Sequence, residues 1–269
     1  MLLKDWARAG RRALVSKLAP PAPPPEVKEV EIVFSASTMT LKVPAPLVDY
    51  YRAFEPETIR FFEGSLAFGM RAVDVGAHIG CITLLASRLV GDAGHVWSFE
   101  PAPLNIDLLA SNLAAQRASN VTFLPVAVGA ASGVRDLNLT NGTDCNTFFD
   151  HPMAAKVGSV PVPLVRLDDV VTGPVDLLKV DVEGAEIEVL EGAAALLRGS
   201  PRATLVVELN PACLRSAGRD PEDLVDMLES LGFACALIGS EATPREVIGR
   251  WRRDEVAALW YGNLVARRS

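Results

Sequence analysis

The sequence of 269 residues has no run of 18 or more apolar residues, the minimum for a membrane-spanning helix. Its four cysteines lie far apart without a Cys-x-x-Cys pair, so neither a zinc site nor a disulfide framework is indicated. Basic residues are outnumbered, 26 against 33 acidic, and the net charge of -7 argues against a general nucleic-acid binder. Charges interrupt the first residues too often for a secretory signal. We therefore expect a cytoplasmic protein with reduced thiols.

The hydrophobic content of 49% and the charged content of 22% are typical of a globular protein with a large core. From Arg71 onward, strand-like and helix-like segments alternate, which predicts a mostly parallel sheet with crossover helices. The predicted strands are 71–75, 95–99, 121–128, 175–180, 203–209, 233–238 and 256–266. The predicted helices are 79–89, 103–116, 184–198 and 221–231.

The chain divides into three predicted regions. Residues 1–25 form a basic helix followed by a proline-rich linker, and residues 26–70 form a β-hairpin and a helix. Residues 71–269 form the main domain, with an insertion at 129–174 beside the carboxyl ends of the strands. The basic helix, over residues 2–19, is either a weak contact for anionic lipid or a partner, or a loosely docked terminal helix.

A glycine turn over residues 74–80, with the sequence D-V-G-A-H-I-G, follows the first predicted strand of the main domain. It lacks the middle glycine of a dinucleotide turn and the Gly-Lys-Ser/Thr ending of a phosphate-binding loop. The remaining candidate ligand is S-adenosylmethionine. We expect Gly76 and Gly80 to shape the donor pocket, and Asp74 to fix its methionine end. The backbone of His78 is expected to matter more than its ring.

Glu100 ends the second predicted strand, 20 residues after Gly80. A carboxylate at this position can accept both ribose hydroxyls of an adenosine, and it disfavours a 2'-phosphate. Taken alone, Glu100 is equally compatible with a helix N-cap. Ala127, at the end of the third predicted strand, suits an adenine ring packed on the sheet, although a plain core strand explains it as well.

Carboxylates also follow the fourth and fifth predicted strands. Asp181 and Glu183 come directly after a buried strand, and Glu208 lies near the end of the next one. These groups can accept a proton from an alcohol, bind a metal or hold the amino group of the methionine. We predict Asp181 as the general base or acceptor-orienting group, with Glu183 and Glu208 behind it. The alternative for Glu183 and Glu186 is stabilisation of a helix N-terminus.

Two further chemical roles are considered at this edge of the sheet. Asp181, Glu208 and Asn210 make an oxygen set that a hard divalent cation could use. Because no third acidic ligand is obvious in the sequence, a metal is possible but not favoured. His151, in the insertion, is either a general base that reaches over the site or a solvated loop residue.

Three ordered segments resemble the FkbM-type methyltransferases: V-D-V-G-A-x-x-G at 73–80, F-E-P at 99–101 and K-x-D-x-E-G-x-E at 179–186. The resemblance covers about residues 58–211. It implies a class I methyltransferase, with a Rossmann-like α/β fold of seven mostly parallel strands, helices on both faces and an antiparallel last strand. It also implies S-adenosylmethionine as donor and O-methylation of a sugar, polyketide or related metabolite.

Two residues depart from the family pattern. The family often has Asn where His78 stands, and often a His near the position of Asn210, so no role for that histidine can be transferred.

The sequence thus predicts an S-adenosylmethionine-dependent O-methyltransferase that acts on a small-molecule hydroxyl. The alternative is a non-catalytic, adenosine-binding scaffold subunit of a biosynthetic complex, docked through its basic N-terminal helix. A short-chain NAD oxidoreductase is disfavoured, because no tyrosine has a lysine four residues on. The acceptor and the oligomeric state are not predictable from these patterns.

Overall fold

The structure, a computed structural model, describes residues 25–35 and 37–268. The predicted basic helix over residues 2–19 lies outside this part. The strands are β1 (Val27–Val33), β2 (Thr38–Pro44), β3 (Arg71–Val75), β4 (His95–Phe99), β5 (Val121–Leu124), β6 (Ala127–Val128), β7 (Gly133–Thr140), β8 (Lys156–Val165), β9 (Leu177–Val180), β10 (Thr204–Leu209), β11 (Phe233–Leu237) and β12 (Gly262–Arg268).

The α-helices of the same residues are α1 (Val48–Arg52), α2 (Pro56–Ser65), α3 (Cys81–Val90), α4 (Pro103–Ala115), α5 (Leu167–Val170), α6 (Glu186–Gly192), α7 (Ala194–Arg198), α8 (Pro211–Ser216), α9 (Pro221–Ser230) and α10 (Pro244–Arg252). Within the described residues, no helix combines the length and apolar character needed to cross a membrane.

A seven-stranded sheet in the order β11-β12-β10-β9-β3-β4-β5 forms the centre of the fold. The pairs from β10 through β5 are parallel, whereas β12 runs antiparallel to both β10 and β11. The predicted α/β sheet with an antiparallel last strand is therefore confirmed. Because β3, β4, β9 and β10 are parallel, the residues that follow them meet at one edge of the sheet.

Helices cover both faces of the sheet. Because successive side chains of a strand point to opposite faces, alternate residues of one strand pack against different helices. In β10, Leu205 and Val207 join the core that contains α6, α7, α9 and α10. Val206 joins the other core, which contains α2, α3 and the strands β1 and β2. The continuous apolar sequence of β10 is thus explained by burial on both faces.

The N-terminal hairpin is confirmed, since β1 and β2 pair antiparallel. Asn112 of α4 attaches this hairpin to the main sheet. Its Oδ1 accepts the Lys42 backbone N–H at 2.8 Å, and its Nδ2 donates to the backbone oxygens of Lys42 and Ile79, at 3.1 and 2.9 Å. Because Ile79 belongs to the glycine turn, the same side chain connects hairpin and turn.

The predicted strand 121–128 is wrong as a single strand. Pro125 interrupts it, because proline has no N–H to donate to a ladder. Residues before the proline form β5 of the central sheet, whereas β6 pairs with β8 in a separate three-stranded sheet. This second sheet is built mainly from the insertion, whose β7 and β8 pair antiparallel.

Two other predicted elements differ in their bounds. The helix expected over 184–198 is divided into α6 and α7, with Ala193 between them. The last strand begins at Gly262 instead of residue 256. Residues 253–261 form turns instead, and Trp251 Nε1 donates to the Ala258 backbone oxygen at 2.9 Å across them.

Gly76→Ala tests how closely the turn after β3 approaches the turn after β9. A Cβ at Gly76, whose φ is +81°, would lie 1.7 Å from the Asp181 backbone oxygen. We expect a loss of about 2–5 kcal/mol in the free energy of unfolding, measured by chemical denaturation. Gly64→Ala is the control, because Gly64 is helical with nothing within 4 Å of its Cβ position. It should gain about 0.5–1 kcal/mol, and equal effects of both changes would contradict this account.

Candidate active site

A cavity opens at the edge of the central sheet where β3, β4, β9 and β10 end. Its wall also includes Tyr50 and Tyr51 of α1, and residues 143–148 of the insertion. The predicted site residues that line it are Gly76, His78, Glu100, Ala127, Asp181, Glu183 and Glu208. Asp74 and Gly80 are not among the lining residues.

The turn after β3 has left-handed backbone at Gly76, His78 and Gly80, with φ values of +81°, 51° and +93°. Glycine is needed at 76 because the Asp181 carbonyl lies against it. At Gly80, a Cβ would lie 2.3 Å from Leu109 Cδ1 of α4. Packing within the protein therefore explains both glycines, and of the two only Gly76 faces the cavity.

Glu100 is buried at the end of β4 and lines the cavity. Its Oε2 accepts the His78 backbone N–H at 2.9 Å, and its Oε1 accepts the Ala102 N–H at 2.8 Å. Burial raises the pKa of Glu100 to about 7. The carboxylate thus holds the glycine turn through the His78 backbone N–H and also lines the cavity.

Asn105 of α4 stands beside Glu100 and was not predicted as a site residue. Its Nδ2 donates to the Thr143 backbone oxygen at 2.9 Å and to Glu100 Oε1 at 3.3 Å. Its Oδ1 is buried without a hydrogen-bond partner among the described residues. A single asparagine in a helix gives no sequence signal of this kind, since only the fold brings Thr143 of the insertion to it.

The ring of His78 connects the N-terminal extension to the insertion. Its Nδ1 lies 2.5 Å from the Tyr51 hydroxyl and its Nε2 lies 3.3 Å from Thr143 Oγ1. Burial lowers the pKa of His78 to about 4, so the ring is neutral near pH 7. The expectation that the backbone of His78 matters more than its ring did not include this role of the ring, which connects two walls of the cavity.

Asp74 is buried within the sheet instead of facing the cavity. Its Oδ2 accepts the Thr83 hydroxyl at 2.6 Å, and its Oδ1 lies 3.7 Å from Lys179 Nζ. The sequence predicted that Asp74 fixes the methionine end of a donor. In this structure its carboxylate contacts Thr83 and Lys179 and does not line the cavity. Asp74 reaches the cavity wall only through Lys179.

Lys179, in the middle of β9, opens the K-x-D-x-E-G-x-E segment, and the sequence patterns predicted no role for it. Its buried Nζ donates to Asp181 Oδ2 at 3.1 Å. Burial by itself would lower the pKa of Lys179, but the carboxylates of Asp181 and Asp74 hold it above its ordinary value. The available signal was a lysine inside an otherwise apolar strand, which indicates a buried charge with partners.

Asp181, Glu183 and Glu208 form an acidic cluster at the cavity. One carboxylate oxygen from each residue lies within 4.8 Å of the other two. The side chain of Asp181 is 29% exposed, whereas Glu208 is only 7% exposed. Burial and then the charges of Glu183 and Asp181 raise the pKa of Glu208 well above its ordinary value. The fold thus brings the three predicted catalytic residues together.

Local backbone geometry places Glu183 in this cluster. Its φ of 53° is left-handed, and Glu186 Oε1 accepts the N–H groups of Val182 and Gly184 on either side of it. Glu186 therefore has a structural role at the start of α6, in line with the helix-stabilising interpretation favoured for it. The Glu183 backbone oxygen also accepts the Thr147 hydroxyl at 2.6 Å, which attaches the turn to the insertion.

His151 lies behind Glu183 and is not among the residues that line the cavity. Its Nδ1 accepts the backbone N–H groups of Met153 and Ala154, both at 3.1 Å. In the neutral ring, the proton is therefore on Nε2, which lies 3.3 Å from Glu183 Oε2. Since both ring nitrogens are engaged, the general-base hypothesis for His151 is not supported.

Asn210 lines the cavity, but its Oδ1 accepts the Cys213 backbone N–H at 3.2 Å. The side chain is therefore the N-cap of α8. Asn210 was considered as an oxygen ligand for a divalent cation, but its Oδ1 makes this structural hydrogen bond instead.

The sheet order and the cavity at its carboxyl edge define a class I methyltransferase fold. Residues 74–235 match the model of the methyltransferase FkbM domain. The chain therefore belongs to the FkbM methyltransferase family, and the resemblance of the three sequence segments is confirmed.

Two curated proteins are similar to this chain in sequence. The chain is 29% identical over 191 residues to the hexuronic acid methyltransferase AglP of Haloferax volcanii, covering 67% of this chain and 70% of that protein. It is 33% identical over 153 residues to the methyltransferase sdnD of Sordaria araneosa, covering 45% of this chain and 59% of that protein.

Among solved structures, methyltransferase FkbM from Methylobacillus flagellatus KT is similar with a TM-score of 0.48 and 18% identity. The match covers 82% of this chain and 52% of that one. The precorrin-6y C5,15-methyltransferase of Geobacter metallireducens GS-15 matches with a TM-score of 0.47 and 16% identity, over 80% and 88% of the two chains.

Lys179→Met tests the buried ion pairs at the end of β9. The change leaves the carboxylates of Asp74 and Asp181 without their ammonium, so we expect a loss of about 3–5 kcal/mol in unfolding free energy. Chemical denaturation measures this loss. Lys156→Met, at an exposed position of β8, is the control and should change stability by less than about 0.5 kcal/mol. A Lys179 variant as stable as this control would show that the pairs contribute nothing.

Proposed function

We propose that the protein transfers a methyl group from S-adenosylmethionine to a hydroxyl oxygen of a small molecule. The observation that carries this proposal is a single cavity that contains both Glu100 and the acidic cluster. Glu100 has the position and chemistry to hold a ribose, and the cluster lies across the adjacent strand ends, where a hydroxyl group can approach the donor.

For the donor, we propose that the ribose hydroxyls donate to the carboxylate of Glu100. Its backbone donors, His78 and Ala102, fix the carboxylate but leave further acceptor capacity, because an ionised carboxylate has about four lone-pair sites. The adenine would pack against Ala127, and Gly76 would allow the donor to lie close to the turn. The unpartnered Oδ1 of Asn105 offers one more acceptor beside this site.

For the chemical step, we propose an in-line displacement at the methyl group. A lone pair of the acceptor oxygen forms the new C–O bond while the bond from sulfur to methyl breaks, and S-adenosylhomocysteine leaves. The sulfonium is already activated, so the protein mainly aligns the reactants and removes the hydroxyl proton. Asp181 is the proposed proton acceptor, and the ammonium of Lys179, 3.1 Å away, orients its carboxylate.

The acceptor class is proposed from two sources. One relative is named a hexuronic acid methyltransferase, so its substrate is a saccharide acid. The resemblance to the FkbM family supports sugar or polyketide hydroxyls. A saccharide, a polyketide or a related secondary metabolite is therefore the proposed acceptor, and residues 143–148 of the insertion would form part of its binding wall.

The proposal is tested by calorimetric titration with S-adenosylmethionine, followed by detection of S-adenosylhomocysteine over a panel of glycosides, uronic acids and polyketides. We expect donor binding and turnover with at least one hydroxyl acceptor. Donor binding without turnover on any member of the panel would favour the non-catalytic scaffold subunit. Failure to bind the donor would contradict both.

Donor affinity should depend on pH through Glu100. Below about pH 7 the buried carboxyl is protonated, so it accepts the ribose hydroxyls poorly. The Kd for S-adenosylhomocysteine should therefore decrease as the pH rises from 5.5 to 8.

Glu100→Gln should weaken binding of S-adenosylhomocysteine by about 10–100-fold at pH 8 and flatten the pH profile of the Kd. Glu191→Gln, an exposed change on α6, should keep the wild-type profile. If Glu100→Gln leaves the pH dependence of this Kd unchanged, Glu100 does not bind the donor.

Asp181→Asn separates the chemical step from donor binding. If Asp181 removes the hydroxyl proton, turnover should fall by about 10²–10⁴-fold while the donor Kd stays within about twofold. Both quantities are measured on the same preparation, with Glu191→Gln as the matched control. An equal loss of donor affinity and of turnover would contradict the assignment of Asp181 as the proton acceptor.

A further inference from the structure

We propose that Asp181, Glu183 and Glu208 bind a divalent cation of the magnesium or manganese class at the floor of the cavity. This inference rests on the proposed methyl transfer, because the cation would lie where the acceptor hydroxyl approaches. The sequence alone did not favour a metal, since a third acidic ligand was missing. The structure supplies that ligand as Glu183.

The first observation is the convergence of three carboxylates. One oxygen from each residue lies within 4.8 Å of the others, a spacing at which the three can share one ion. Asp181 and Glu183 follow β9, and Glu208 comes from β10, so two rigid strands set the arrangement. The left-handed turn at Glu183, held by Glu186, turns this side chain toward the other two.

The second observation concerns Glu208 alone. It is only 7% exposed, it lines the cavity, and its side chain accepts no hydrogen bond among the described residues. Its Oε2 is completely buried. Buried carboxylates ordinarily have hydrogen-bond donors, a paired charge or a metal, because an isolated one is costly to desolvate. Glu208 therefore points to a ligand in the cavity.

The nearby ammonium of Lys179 does not neutralise the acidic cluster. Lys179 pairs with Asp181 at 3.1 Å and lies 3.7 Å from Asp74, so its single charge is already divided between two carboxylates. The cluster and Asp74 together carry four acidic groups around this one ammonium. A divalent cation at the cluster would balance the excess.

A softer metal at the neighbouring thiol and imidazole is less well supported. Cys145, His151 and Glu183 also come within ligand distance of one another. However, His151 Nδ1 accepts two backbone N–H groups, so Nε2 carries the proton of the neutral ring and has no lone pair for a metal. The purely oxygen-based cluster remains, and such ligands suit magnesium or manganese.

The chemical consequence follows from the place of the cluster in the cavity. A cation held by three carboxylates on one side would keep coordination positions open toward the cavity. An acceptor hydroxyl that binds there is oriented toward the donor, and the cation's charge makes its proton easier to remove. The cation would thus assist the same proton transfer that is assigned to Asp181.

The test is calorimetric titration of the chelator-treated, full-length protein with MnCl₂, without donor or acceptor. We expect one Mn²⁺ per chain, and a Kd that weakens at least tenfold in Glu208→Gln and in Glu183→Gln. Glu191→Gln should bind Mn²⁺ like the wild type. Thermal unfolding shows whether each variant is folded, and the electron paramagnetic resonance spectrum of bound Mn²⁺ gives a second readout on the wild type itself.

The outcomes separate this inference from the proposed function. Absence of Mn²⁺ binding up to millimolar concentration, or unchanged binding in both folded variants, would overturn the cation site. In that case, retained donor binding and turnover after chelation would leave the proposed methyl transfer intact, with a proton shared among the three carboxylates. Failure to bind the donor would contradict the proposed function whatever Mn²⁺ does.

Discussion

The Lys179 ammonium, buried between Asp74 and Asp181, is the interaction on which the site depends. It joins the interior of β3 to the end of β9, where the acidic cluster begins. At the same edge, the Asp181 carbonyl lies so close to Gly76 that no side chain fits between them. Charge and close packing therefore hold the proposed donor turn and the proposed acceptor site in one fixed relation, which suits a reaction that mainly requires alignment.

A second set of contacts closes the cavity from two other regions of the chain. His78, in the glycine turn, joins Tyr51 of α1 and Thr143 of the insertion. Thr147 bonds the backbone of Glu183, so the insertion also contacts the acidic cluster. The α1 segment and the insertion, which form part of the cavity wall, are thus attached directly to the residues at its centre.

Periodicity and motifs predicted the central features well, because these depend on local sequence. The parallel strands, the glycine turn and the carboxylates after each strand are all encoded over short stretches, and parallel strands bring their ends to one edge. Pro125 shows a signal that was present but overlooked, since a residue without an N–H cannot continue a ladder. Strand β8 of the insertion was missed because Pro161 and Pro163 lie within it, and proline inside an apolar alternation ordinarily argues against a strand.

Other parts of the site could not be predicted from sequence, because they depend on long-range contacts. Nothing near Asp74 in the chain shows that its carboxylate turns toward Thr83 and Lys179. Glu183 enters the cluster only through a left-handed backbone held by Glu186. The isolation of Glu208 is likewise a property of the folded core and not of its neighbours in sequence.

The central claim is that one cavity holds the nucleoside of the donor beside the acidic cluster. A crystal structure of the protein with S-adenosylhomocysteine tests it most directly. The account predicts the ribose hydroxyls within hydrogen-bond distance of Glu100 and the sulfur directed toward Asp181. A nucleoside bound away from Glu100, or a sulfur on the far side of the sheet edge from the acidic cluster, would contradict it.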